Sequence, residues 1–302
     1  MQRLKEELFK IVYEYSKEEN LVDKDFIEEV LDLCITTFKI EDYVLDRNIG
    51  ENNIDRQDVP AGYWIDSRQI VIDIDRVKNH GIHRIMEEKK LGISSNPFLD
   101  YFKMNSNSMY GIVHELTHAC QYKKCLEEDN DLETEILKLN LDRNLVVLKR
   151  KQITPNEAFY YKALDKHFLG GPYYEACPSE RMADIRGLEF ERDISKLLYE
   201  KKKYDIRDYT ELRLLNGKIN AYKDCSPTTF ITLVNEVLKG QYGIPHKYND
   251  MEEIENMYRI LANKYKLSFD ERIWLGLPIT EHEKQKVLQK TKELQNILLR
   301  KD

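Results

Sequence analysis

Apolar residues return at three- and four-residue steps near the start of the chain: Leu4, Leu8, Ile11, Val12 and Tyr15. That period gathers them on one face of a helix over residues 3–19. Phe26, Ile27, Val30, Leu31 and Ile35 repeat the pattern and predict a second helix over 24–38. The rhythm then breaks, and Gly50, Asn52, Asn53, Asp58, Pro60 and Gly62 mark turns and loops. Residues 63–65 and 69–74 read as two short strands, the second alternating Ile70, Ile72 and Ile74 on one face. Asp66, Ser67 and Arg68 form the expected hairpin turn, and a further strand is expected over 43–48. Helical signals resume at Asn96 and Pro97. Asn105, Ser106, Asn107 and Ser108 are all good N-cap residues and predict a fresh helix start there. Downstream, helices are predicted over 132–149, 155–168, 178–200, 208–215, 227–238, 251–265, 269–275 and 281–299. Gly170, Gly171 and Pro172 form a strong break. The expected fold class is α+β, predominantly helical, with a small β-sheet.

The helix expected after Ser108 carries His114-Glu115-x-x-His118, the HExxH pattern of zinc hydrolases. Residues i and i+4 lie one turn apart on one helical face, so both imidazoles reach one metal ion. Glu115 sits about 100° further round, beside the metal, where it can take a proton from water. Ile112, Val113, Leu116, Ala119 and Cys120 surround these residues. A helix so lined is buried, and buried His and Glu side chains need partners.

Composition narrows the context. The charged fraction of 33% against 41% hydrophobic suits a soluble, mostly helical chain. A net charge of −7 offers no general basic footprint for nucleic acid. No run approaches the roughly 18 apolar residues of a membrane span. The five cysteines (34, 120, 125, 177 and 225) show no paired spacing. With a charged N-terminus lacking an apolar signal core, they point to free thiols in a reducing cytoplasm. His80, His83, His246 and His282 fall in polar contexts and read as surface residues. The run Lys201 to Lys203 reads as a solvated face.

An HExxH site needs a third ligand. Gln121 and Lys124 stand where HExxHxxGxxH would place Gly and His, so a distant acidic residue must supply it. Glu180 is the best candidate, with Glu175 and Cys177 as weaker ones. Asp184, one turn after Glu180, suits the N–H of the non-metallated nitrogen of a ligand histidine. Ala183 and Gly187 share that face and leave room for close packing against the motif helix.

His114-Glu115-x-x-His118 followed by Glu180-x-x-x-Asp184 on a later helix resembles the gluzincin branch of the zincin metallopeptidases. The resemblance covers roughly residues 40–200, and the strands over 63–74 look like that family's small sheet, whose edge strand holds an extended peptide. It implies a zincin-like core with Zn2+ held by His114, His118 and Glu180, Glu115 as general base, and Asp184 behind a ligand histidine. The run Glu180-Arg181-Met182-Ala183-Asp184 is also similar to ImmA/IrrE-type peptidases, although no helix-turn-helix segment is evident. The thermolysin-like group has Asn before the Glu, where this chain has Ser179.

Gluzincins steady the developing oxyanion with Tyr or His. Tyr160, Tyr161, His167, Tyr173 and Tyr174 lie between the two motifs, and the Tyr173-Tyr174 pair, on a Gly-rich loop, is favoured slightly. The expected organisation is N-terminal helices over 1–39, a metallopeptidase core over 40–204 and a helical region over 205–302. The resemblance implies a zinc peptidase acting on a polypeptide substrate, and the cysteines, charge and hydropathy add the expectation of a cytoplasmic chain without nucleic acid or membrane. The alternative is a zincin-fold protein, latent or inactive, that acts by partner recognition.

Overall fold

In the computed structural model, residues 1–51, 60–64, 67–90, 96–127, 178–223, 263–264, 266 and 281–299 are described. The first two helices form where the apolar spacing places them: α1 (Gln2–Lys17) and α2 (Lys24–Phe38). α1 buries Leu4, Leu8, Phe9 and Val12. α2 buries Phe26, Ile27, Val30, Leu31, Cys34 and Ile35, and the two helices pack on one another. Asp23 caps α2, its carboxylate accepting the Phe26 N–H at 2.9 Å. Lys39 closes it in the left-handed region at φ 56°. Burial pushes the Cys34 thiol up to about 12, with Cys120 adding to the effect. Both are free thiols.

A single 3-10 turn (Glu41–Tyr43) leads into a three-stranded sheet of β1 (Asp46–Gly50), β2 (Ala61–Trp64) and β3 (Gln69–Asp73). β3 is central, in the order β1-β3-β2. β2 runs antiparallel to it, pairing Ala61 with Ile72 and Trp64 with Gln69. β1 runs parallel to it, pairing Asp46 with Gln69 and Gly50 with Asp73. The expected hairpin is therefore present, with Arg68 in its turn at φ 52°.

Two features of β3 correct the sequence reading. Ile70, Val71, Ile72 and Asp73 are all buried, so both faces are covered and the one-sided alternation does not hold. Ile74 does not extend the strand but opens α3 (Ile74–Lys90), a helix not anticipated. Asp73 ends β3 and caps α3, accepting the Arg76 N–H at 3.0 Å. Ile74, Val77, Ile82 and Ile85 recur at helical spacing, with Val77 and Ile85 buried, a stripe that the alternation of Ile70, Ile72 and Ile74 drew into the strand instead. His80 and His83 on this helix are exposed.

The expected helix start at 105–108 is a further correction. α4 (Pro97–Glu127) is one continuous helix of 31 residues, begun by Asn96, whose side chain accepts the Leu99 N–H at 2.9 Å. Asn105, Ser106, Asn107 and Ser108 are buried in its middle. Asn105 accepts the Val22 N–H and donates to Ser16 Oγ and the Asn20 carbonyl. Ser108 donates back to the Met104 carbonyl at 3.1 Å. Asn105 and Asn107 thus bond to other parts of the fold, and Ser108 to the preceding turn, and the helix runs on through them.

α5 (Pro178–Lys202), α6 (Arg207–Lys223) and α7 (Glu281–Leu299) complete the described elements. α6 runs beyond the expected 208–215. The helices predicted over 132–149, 155–168, 227–238 and 269–275 lie outside the described residues, as does all of 251–265 except helical residues 263–264. Among the described residues the fold is mixed α+β and mostly helical, and no helix is long and apolar enough to cross a membrane.

The chain divides into two units. The first comprises Met1–Lys123, Ala183–Leu215 and Gln289–Asp302. It holds the sheet and a core in which Leu8, Phe26 and Ile72 join Phe102, Met109 and Leu116 of α4 and Phe190 and Ile194 of α5. The second comprises Lys124–Met182 and Asn216–Leu288. Its described residues belong mainly to the end of α4, the first turn of α5, the later part of α6 and the start of α7.

Candidate metal centre

The middle of α4 is apolar on most sides: Ile112, Val113, Leu116, Thr117 and Ala119 are almost wholly shielded from water. His114 is buried among them at 6% exposure, while Glu115 and His118 are half-buried. One helical turn brings the two imidazoles together, with ring centroids 4.9 Å apart and planes at 80°.

The partners of each ring settle which nitrogen faces the site. Asp184 Oδ1 lies 2.8 Å from His114 Nδ1, and Gln121 Oε1 lies 2.9 Å from His118 Nδ1. A carboxylate and an amide oxygen only accept, so both Nδ1 atoms carry the hydrogen. Both Nε2 atoms then present lone pairs, and they face each other at 3.2 Å. Two nitrogens bound tetrahedrally at 2.0–2.1 Å to one ion stand about 3.3–3.4 Å apart. The observed spacing matches this, and a shared cation turns the repulsion of the two lone pairs into attraction.

Glu115 Oε1 is 3.9 Å from His114 Nε2, too far for a hydrogen bond but beside the same point. Potential donor atoms of His114, Glu115 and His118 all lie within 4.8 Å of one another. Two neutral imidazoles with a carboxylate beside them could hold a divalent metal ion, the carboxylate standing next to the ion's open side.

A second layer stands behind His114. The Tyr110 hydroxyl donates at 2.6 Å to Asp184 Oδ1. Burial first, and then the Asp184 carboxylate, push this hydroxyl well above the ordinary tyrosine range, so Tyr110 remains a donor. α5 approaches α4 closely at Gly187, where an added Cβ would lie 2.6 Å from Tyr110 Cδ2 and 2.9 Å from the Tyr110 carbonyl oxygen. The small-residue face of α5, with Ala183 fully buried, is what admits that approach.

Of the residues singled out from sequence, His114, Glu115, His118 and Asp184 come together in the first unit. Glu180 stands in the first turn of α5, half-buried, and belongs to the second unit. Tyr160, Tyr161, His167, Tyr173, Tyr174, Glu175 and Cys177 lie outside the described residues. Two neighbours were overlooked, although helical arithmetic marks them. Tyr110 is four residues before His114 and Gln121 three after His118, so both lie on the face of the ring they serve. Arg213, whose guanidinium carbon is 5.5 Å from the Tyr110 ring centroid, has no local signal of that kind. Comparison with known families, curated proteins and solved structures finds no match to this chain. The reading of the site therefore rests on its own geometry.

Proposed function

We propose that this chain is a zinc-dependent peptide hydrolase with a zincin-like core, as the gluzincin resemblance implies. The observation that carries the proposal is the 3.2 Å approach of the two Nε2 atoms with both Nδ1 hydrogens engaged elsewhere. His114 and His118 hold the ion, and Glu180, from the start of α5, is the proposed third ligand. Zinc in such a site acts as a Lewis acid and lowers the pKa of water to about 7. Glu115 is the general base that receives a proton from the attacking water and passes it to the departing amine. Asp184 orients His114, and Gln121 orients His118. The largely buried walls around His114 restrict bulk water and so strengthen these interactions.

Among the described residues β2 is an edge strand of the small sheet, which supports binding of an extended polypeptide by strand addition. The buried free thiols Cys34 and Cys120 support a reducing, cytoplasmic setting. The −7 net charge supports a reading without nucleic acid.

Two substitutions test this reading. Glu115→Gln should keep zinc content near wild type while hydrolysis of unstructured proteins falls about 10²–10⁴-fold. Glu180→Gln should lower zinc content, because a neutral amide is a poor substitute for a carboxylate ligand. A wild-type chain that takes up no zinc would refute the proposal. Full zinc occupancy without cleavage of any substrate by the wild type would favour the alternative, a zincin-fold binding protein.

A further inference from the structure

Arg213 and Glu191 form an ion pair with side chains 7% and 1% exposed. Replacing such a buried pair by apolar residues is often neutral or stabilising, so stability alone does not account for it. What the pair holds is more informative. Arg213 donates from Nη1 to Glu191 and from Nη2 to Asn107 Oδ1 at 3.0 Å, which fixes the guanidinium beside the ring of Tyr110. The Tyr110 hydroxyl in turn donates to Asp184 Oδ1, the same oxygen that faces His114 Nδ1. All these residues belong to the first unit.

We propose that Tyr110, carried by Arg213, is a positioning residue that locks Asp184 against His114. This rests on the metal-centre reading above and adds to it a requirement outside the ligand set. A carboxylate held by one hydrogen bond can rotate about its last torsion, which is broad. Two donors at 2.6 and 2.8 Å on a single oxygen remove that freedom. Asp184 then holds His114 in the Nδ1–H tautomer, with Nε2 presented to the ion. Gly187 belongs to the same device, since any side chain there would displace the Tyr110 ring.

The test uses the full chain and Tyr110→Phe, which keeps the ring and removes only the hydroxyl. Imidazole 15N spectra recorded in chelator should show His114 and His118 both as Nδ1–H in wild type. In Tyr110→Phe, His114 should become a tautomer mixture while His118, held by Gln121, stays unchanged as an internal control. With added Zn2+, the Kd from competition with a chelating dye should rise about 3–10-fold, at or below the low end of effects for partners that touch a ligand directly. In an Asp184→Asn background, Tyr110→Phe should add nothing further, because its action passes through that carboxylate. An unchanged His114 tautomer, or an equal loss of affinity in the Asp184→Asn background, would overturn the proposal. If wild type binds no zinc, the metal reading fails, yet the spectra in chelator still decide whether Tyr110 governs His114.

Discussion

A histidine that binds metal through Nε2 must keep its proton on Nδ1, and the acceptor at Nδ1 tunes its basicity. The two histidines are served unequally: His114 faces the carboxylate of Asp184, and His118 the neutral amide of Gln121. This inequality predicts opposite outcomes at one position. Gln121→Leu should weaken zinc binding about tenfold by freeing the ring, whereas Gln121→Glu should tighten it by making Nε2 a stronger donor. Chelator competition reads both, and two shifts in the same direction would refute the assignment. At this scale the HExxH spacing made His114, Glu115 and His118 legible, and the i, i+4 step from Glu180 marked Asp184. Gln121 drew notice only as a residue standing where a glycine would be. A spacing rule names which side chains share a face, and only the folded contacts show which of them turns toward a ring nitrogen.

Among the elements, α4 departs furthest from its sequence pattern. Its run from Asn105 to Ser108 has the chemistry of a helix start, because short polar side chains compete for backbone groups. Here distant segments offer Asn105 and Asn107 partners, and the helix continues through them. Asn105 receives the Val22 N–H at 3.0 Å and gives a hydrogen to the Asn20 carbonyl at 2.9 Å, stitching the α1–α2 connection to α4. Asn105→Ala would leave the Val22 N–H buried and unmet, while the carbonyl of exposed Asn20 can turn to water. Urea unfolding should therefore show a loss of roughly 1–3 kcal/mol. A loss below about 1 kcal/mol would mean that this N–H finds another partner. The same preference for distant partners hides the parallel pairing of β1 with β3, since nothing local in 43–50 names a strand some twenty residues on. The adjacent hairpin of β2 and β3 was legible because its turn lies between its strands.

Across the whole chain, the mixed and mainly helical character was legible from periodicity, because long apolar stripes survive almost any arrangement of their neighbours. The grouping into units was not, since the first unit is drawn from three separate stretches and a single sequence carries no record of which stretches meet. Ligand linkage makes the metal centre a property of the entire fold: an ion that binds only the folded chain at 1,000 times its Kd adds about 4 kcal/mol of stability. Adding Zn2+ to chelated wild-type protein should accordingly raise its melting temperature, while His114→Ala should show little response. Calorimetry distinguishes these outcomes, and an equal rise in both proteins would place the stabilising ion elsewhere. The discontinuity of the first unit also has a consequence in time. Asp184 follows His114 by 70 residues, which at about 5–20 residues per second of synthesis is a delay of roughly 4–14 s. For that interval the growing chain carries both histidines on a helix with no carboxylate to set the tautomer of the first. The orienting carboxylate is thus the latecomer of the pair, and the order of synthesis gives the ring its place on the helix before it gives the ring its proton's place.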